Sequence, residues 1–175
     1  MRRWCALLVP MLAACASVPA FPAEEKAEAV CPNGRTEIPV EWAGWDKARP
    51  LPAATAQGDL RAPFVVGEAV DLTLRSDPEV TYVSLPKGAG EASSFGGLAL
   101  VHIERAGRYS VGLGAPAWVD LTREGKSAES LGHGHGPACS PIYKAVAFDL
   151  SPGDYVVEIS GNEVADIRVV LASGG

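Results

Sequence analysis

The sequence has no apolar run long enough to cross a bilayer: the longest, from Trp4 to Ala14, is well short of the roughly 20 residues a permanent spanning helix needs. Basic residues are also in deficit, with 15 Lys and Arg against 21 Asp and Glu and a formal net charge of −6. No basic stripe offsets that balance, and a polyanion would be repelled, so nucleic acid is excluded as a partner. Aromatics make up only 7% of the chain, and there are 3 histidines and 4 cysteines. No Gly-x-Ser-x-Gly elbow occurs, and no serine has His and Asp partners at a recognised spacing, so nucleophilic catalysis has no support. Asp120, Asp149 and Asp154 read as outward strand or turn residues rather than a catalytic pair.

The short apolar run follows Arg2 and Arg3, the arrangement of an export signal over residues 1–20. Two cleavage points compete. Leu12-Ala13-Ala14-Cys15 reads as a lipobox, which would leave Cys15 lipidated, whereas Val18-Pro19-Ala20 offers small residues to an ordinary signal peptidase. The expected location is therefore the periplasm, either soluble or lipid-anchored to the outer membrane, and removal of Arg2 and Arg3 makes the chain still more acidic. The remaining length suits one domain.

Residues 21–58 read as a solvated tether followed by an irregular segment. Phe21 to Val30 lacks apolar periodicity, Cys31-Pro32-Asn33-Gly34 is a turn, and Ile38-Pro39-Val40 could form a short edge strand. Pro50 and Pro52 argue against regular structure after Trp45. Period-two alternation then dominates residues 59–175. It is clearest where Val70, Leu72 and Leu74 alternate with Asp71 and Thr73, and it recurs at Val80–Leu85, Leu98–Glu104, Arg108–Leu113, Ala117–Thr122, Ile142–Leu150, Asp154–Ser160 and Ile167–Leu171. With 19 glycines and 14 prolines between them, about eight short strands predict an all-β, single antiparallel sandwich or barrel. A Gly-x-Tyr-x-Val-x-[Leu/Ile] pattern occurs twice, at Gly107–Leu113 and Gly153–Ile159. It suggests two hairpins built alike in two sheets packed face to face.

Cys5 leaves with the signal, and Cys15 leaves or is lipidated, so Cys31 and Cys139 remain. In an oxidising compartment they are expected to pair, which would constrain the unfolded chain by ~4 kcal/mol. The competing reading keeps Cys139 as a free metal ligand. His133 and His135 lie in Leu131-Gly132-His133-Gly134-His135-Gly136-Pro137-Ala138-Cys139, where two imidazoles could face one ion, with His102 and Glu104 as further ligands to zinc, copper or iron. Against this, a glycine-rich His loop is often only a solvated segment, His102 can be an ordinary strand residue, and then no cofactor is expected. Aromatic rings beside carboxylates suit carbohydrate or aromatic ligands, but Trp118, near Asp120, reads first as a core residue. Trp42 and Trp45 are balanced between core and ligand site.

The segments Ala106-Gly107-Arg108-Tyr109, Trp118-Val119-Asp120, Gly134-His135-Gly136-Pro137-Ala138-Cys139 and Ser151-Pro152-Gly153-Asp154-Tyr155 resemble those of small exported proteobacterial β-sandwich proteins. These pair a Trp-[Ile/Val]-Asp strand with a Gly-His-Gly-Pro-x-Cys loop and often carry a transferred homogentisate dioxygenase name. The Gly-x-Tyr pattern also resembles the bacterial pre-peptidase C-terminal domain, which implies a jelly-roll-like fold. The resemblance covers about the last hundred residues and implies a β-sandwich with an important Gly134–Cys139 loop. The dioxygenase name does not transfer: that enzyme is a much longer cupin with a two-histidine, one-glutamate iron site, and His133 and His135 have no suitably spaced glutamate. The expected function is an exported binding or accessory module for a small ligand or envelope protein; the alternative is a metal-dependent, oxygenase-like enzyme using the histidine loop.

If the lipobox is used, Cys15→Ser moves the protein from the membrane to the soluble fraction. Mass spectrometry of the mature N-terminus checks this, since an unmodified start at Phe21 contradicts lipidation.

Overall fold

The computed structural model describes Cys31 and residues 38–174. The signal segment with Cys15, the tether and the rest of the turn after Cys31 lie outside the described residues. Among the described residues, no helix is long and apolar enough to cross a membrane.

The described residues form eleven strands: β1 (Arg49–Pro52), β2 (Ala69–Thr73), β3 (Arg75–Ser76), β4 (Phe95–Ile103), β5 (Gly107–Leu113), β6 (Trp118–Arg123), β7 (Lys126–Ser127), β8 (Ser130–His135), β9 (Lys144–Leu150), β10 (Gly153–Asn162) and β11 (Asp166–Ser173). They make a six-stranded sheet in the order β1-β2-β11-β5-β9-β8 and a five-stranded sheet in the order β3-β4-β10-β6-β7. Without β1, β3 and β8, the orders β2-β11-β5-β9 and β4-β10-β6-β7 are those of an eight-stranded jelly roll. All pairings are antiparallel except β1 with β2. The all-β sandwich expected from the alternation is the fold.

Alternation explains the core. Val70 and Leu72, Val111 and Leu113, Val146 and Phe148, and Val169 and Leu171 point from the first sheet onto Ala99 and Val101, Val119 and Leu121, and Val157 and Ile159 of the second. The repeated Gly-x-Tyr segments do not form hairpins, because β4 and β5 belong to opposite sheets, as do β9 and β10. Both are arches that carry the chain across the sandwich. Each is tied by its tyrosine to a backbone group four residues upstream: the Tyr109 hydroxyl donates to the Arg105 carbonyl at 2.8 Å, and Tyr155 Oη accepts from Ser151 N–H at 3.2 Å.

Each sheet is also covered on its outer face. On the first, a 3-10 helix (Val40–Lys47) lays Trp42 and Trp45 against Ala69, Val170 and Ala172. Trp42 can lie flat there because residue 112 is glycine; a Cβ would come within 2.6 Å of the indole. Arg168 fastens the helix by bonding Asp71 with two nitrogens (2.7 and 2.8 Å) and donating to the Trp45 carbonyl at 3.0 Å. Asp71 is accordingly held below the usual carboxylate range by that bond. Trp42 and Trp45 are thus core residues, and Val40 opens a helix rather than ending a strand. Pro50 and Pro52 do sit in a strand, because β1 is the outermost of its sheet and needs ladder bonds on one side only.

The second sheet is covered differently, by segment 77–94. Val80–Leu85, expected as a strand, is not one. Its backbone serves a buried carboxylate instead of a ladder. Glu158 on β10 points away from the core yet is fully buried, accepting from Val83 N–H (2.5 Å), Ser84 N–H (3.2 Å), the Ser84 hydroxyl and Thr122 Oγ1 (3.1 Å). Asp77, also buried, accepts from the Tyr82 hydroxyl (2.5 Å), Gly90 N–H (3.2 Å), Ser94 Oγ (3.0 Å) and Gly161 N–H (2.8 Å). Burial, with Asp77 beside it, pushes the Tyr82 hydroxyl far above its ordinary pKa.

The expected Cys31–Cys139 disulfide is present, with Cα atoms 5.4 Å apart across a sequence separation of 108. It joins the chain ahead of the 3-10 helix to the turn after β8.

Replacing Glu158 by Ala leaves two backbone N–H groups and two hydroxyls without their acceptor. The expected cost is on the order of 4 kcal/mol in chemical denaturation, against less than about 0.5 kcal/mol for exposed Glu104→Ala. Equal effects would contradict the pinning of segment 77–94 by Glu158.

Candidate functional site

At one edge of the sandwich the two sheets part. Strand β7 covers only the end of β6, pairing at Thr122 and Arg123, so among the described residues no strand pairs with Trp118 to Asp120 on that side. Opposite it, β8 extends the first sheet. Between them lies a cleft of about 240 Å³ lined by Lys87, Trp118, Asp120, Ser130, His133 and Lys144, with Val119 and Val146 at its floor.

Trp118 is the wall of this cleft and not a core residue, for its side points outward along β6 and it is 42% exposed. The alternation that buries Val119 and Leu121 turns Trp118, Asp120 and Thr122 the other way. The indole is nevertheless positioned. Gly88 carries its backbone at φ +76, and a Cβ there would stand 2.9 Å from the indole Cδ1, so the close approach needs glycine at that position. Ser160 Oγ donates to the Lys87 carbonyl at 2.8 Å, which fixes the chain just ahead of Gly88.

Two ammonium groups lie over the indole, Lys144 Nζ at 4.7 Å from the ring centroid and Lys87 Nζ at 5.4 Å. Lys144 also donates to the Ala117 carbonyl at 2.8 Å. Burial lowers its pKa, with the charge of Asp120 opposing that shift. Asp120 is pushed above the usual carboxylate range, first by burial and then by the charge of Glu158, its cross-strand partner on β10, with Lys144 opposing. Among the described residues, Asp120 makes no side-chain hydrogen bond. Its carboxylate faces the cleft beside the tryptophan.

The histidines are not gathered. His102 stands on β4 in the second sheet, its Nδ1 2.6 Å from Asp154 Oδ1 across the ladder, both side chains more than half exposed. With Glu104 it borders a separate, wider depression of about 570 Å³ that includes Arg105, Arg108 and Tyr109. His133 and His135 lie on β8 in the first sheet, so the expected glycine-rich loop is largely an edge strand whose Gly132 and Gly134 pair opposite Ala147 and Ala145. His133 lines the Trp118 cleft, while His135 meets Tyr143 edge-on at 6.1 Å. Cys139 is in the disulfide. Among the described residues, no three His, Cys, Asp or Glu side chains come together as a metal-holding group. The set is therefore dispersed, with His102 and Glu104 at one depression, His133 at the other and His135 at neither.

Sequence reasoning placed Trp118 beside Asp120 but missed Lys87 and Lys144. Lys144 was visible as the polar start of a strand otherwise apolar at Val146, Phe148 and Leu150. Lys87 had no signal, since it reaches the cleft from a segment expected to be a strand and its turn. Scans of family models and of curated proteins match nothing to this chain.

An acid whose folded-state pKa is raised stabilises the fold in its neutral form, and that contribution is lost as pH rises through the raised value. Ionised Asp120 therefore weakens the fold at neutral pH. Asp120→Asn is expected to raise the melting temperature at pH 7, with the gain shrinking toward zero below the ordinary aspartate value of about 3.9. Thermal unfolding of both proteins across that range checks the sign.

Proposed function

We propose that the protein is an exported binding module of the bacterial envelope, periplasmic and either soluble or lipid-anchored through Cys15, whose ligand site is the Trp118 cleft. The observation that carries this reading is the indole itself: a large apolar ring left 42% exposed in a concave site while its edge is fixed by Gly88. A flat, held aromatic surface with charged groups converging on it is the chemistry of small-ligand recognition, one apolar face for stacking and a few polar atoms for orientation. The Cys31–Cys139 bridge is in keeping with an oxidising compartment. The resemblance to small exported β-sandwich proteins points the same way. At about 240 Å³ the cleft is below the roughly 300–1,000 Å³ of pockets for drug-sized ligands, so it suits one ring rather than a chain of them.

Titration of the ¹⁵N-labelled protein with a panel of small sugars and aromatic acids tests the site. Chemical-shift changes are expected at the Trp118 indole N–H and along Trp118–Asp120, Ser130–His133 and Lys144, and Trp118→Ala should weaken binding at least tenfold in a protein that still gives a folded spectrum. Changes confined to the depression around His102 and Arg108, or none at all, would overturn it.

A further inference from the structure

The charge of the cleft runs against that of the molecule. The chain carries −6, yet the lining of the cleft brings two lysines, Lys87 and Lys144, together with a single carboxylate, Asp120. Low-dielectric walls concentrate such a local field, so the cleft attracts what the rest of the surface repels.

Each cation is placed rather than loose. Lys144 is partly buried and gives one N–H to the Ala117 carbonyl, which leaves two donors of its ammonium for another acceptor. Lys87 is exposed, but the Ser160 bond to its carbonyl and the Gly88 contact with the indole fix where its side chain starts. Both ammonium groups lie within 5.4 Å of one ring centroid. Donors from two separate segments of the chain are thus brought to one indole. Two lysines are point charges without the planar fork that arginine offers to a phosphate, and the nearby Asp120 opposes a dianion. The balance suits a monoanion. Asp120, without a side-chain hydrogen bond among the described residues, can accept from hydroxyl groups on the same ligand, and the volume limits that ligand to one ring.

We infer that the Trp118 cleft selects a single hydroxylated ring bearing a carboxylate, with the carboxylate between Lys87 and Lys144, the ring against the indole, and a hydroxyl donating to Asp120. This rests on the reading of the cleft as a binding site. An acidic saccharide and a phenolic acid share that chemistry, and the test separates them.

The labelled full-length mature protein is titrated with D-galacturonate and D-galactose, and with 4-hydroxybenzoate and 4-hydroxybenzyl alcohol. The acid should bind at least tenfold more tightly than its neutral counterpart in one of the two ring families, which identifies the source. Lys144→Met should remove the preference. Exposed Lys87→Met should reduce it in a protein whose fold is undisturbed. Neutral compounds that shift the cleft as strongly as the acids would overturn carboxylate selection while leaving the binding site in place. The absence of any shift in the cleft from all four compounds would overturn both.

Discussion

A carboxylate on an outward-facing strand position has to find solvent or donors, and Glu158 finds donors. Val83, Ser84 and Thr122 surround it, and three of the four donors come from one segment that therefore lies flat on the second sheet. Asp77 repeats the arrangement three residues along β10, with Gly161 N–H drawing the β10 end and Gly90 N–H the far end of the segment to the same carboxylate. Buried ionic groups of this kind stand only when every lone pair is used, since a missing donor leaves the desolvation cost uncompensated. Because they are used, segment 77–94 has one path across the sheet. That path sets Lys87 and Gly88 against Trp118, so the geometry of the cleft follows from a carboxylate that does not itself line it.

The two outer faces illustrate alternative solutions to one problem. A strand buried on both faces needs a cover for its second side. On the first sheet the cover is apolar, with Trp42 and Trp45 on small residues and the Arg168–Asp71 pair at the margin. On the second sheet it is polar and depends on direction and count of hydrogen bonds rather than on area. The second requires backbone and hydroxyl donors to meet two buried carboxylates at set positions. It is the second, stricter cover that borders the candidate site, and that suits a site whose indole and ammonium positions must hold to within a fraction of an ångström.

Strand alternation made most of the sandwich legible. Seven of the runs read from the sequence overlap β2, β4, β5, β6, β9, β10 and β11, and the pairing of Cys31 with Cys139 followed from compartment and elimination. The failures share a cause. Val80–Leu85 has strand periodicity, but the N–H groups of Val83 and Ser84 are claimed by Glu158, a residue more than seventy positions away. Ser130–His135 lacks strand composition yet pairs with β9, because an edge strand with neighbours on one side tolerates glycine. Trp118 reads as core by type and turns outward by register. Sequence spacing also grouped His102 with His133, whereas the crossed connections of a jelly roll send their strands to opposite sheets.

What the sequence determined by itself is the class of the fold and its inner core, because period-two burial is a local property that each strand states independently. It also singled out Cys31 and Cys139 as the expected pair, and they are bonded. Only the tertiary structure decided which outward residues are buried, since that depends on what lies across them. It turned Glu158 from a surface residue into the anchor of a loop and Trp118 from a core residue into the wall of a cleft. It also assembled Lys87, Trp118, Asp120 and Lys144 from two strands and a loop, a convergence of long-range contacts that no local pattern along the chain encodes.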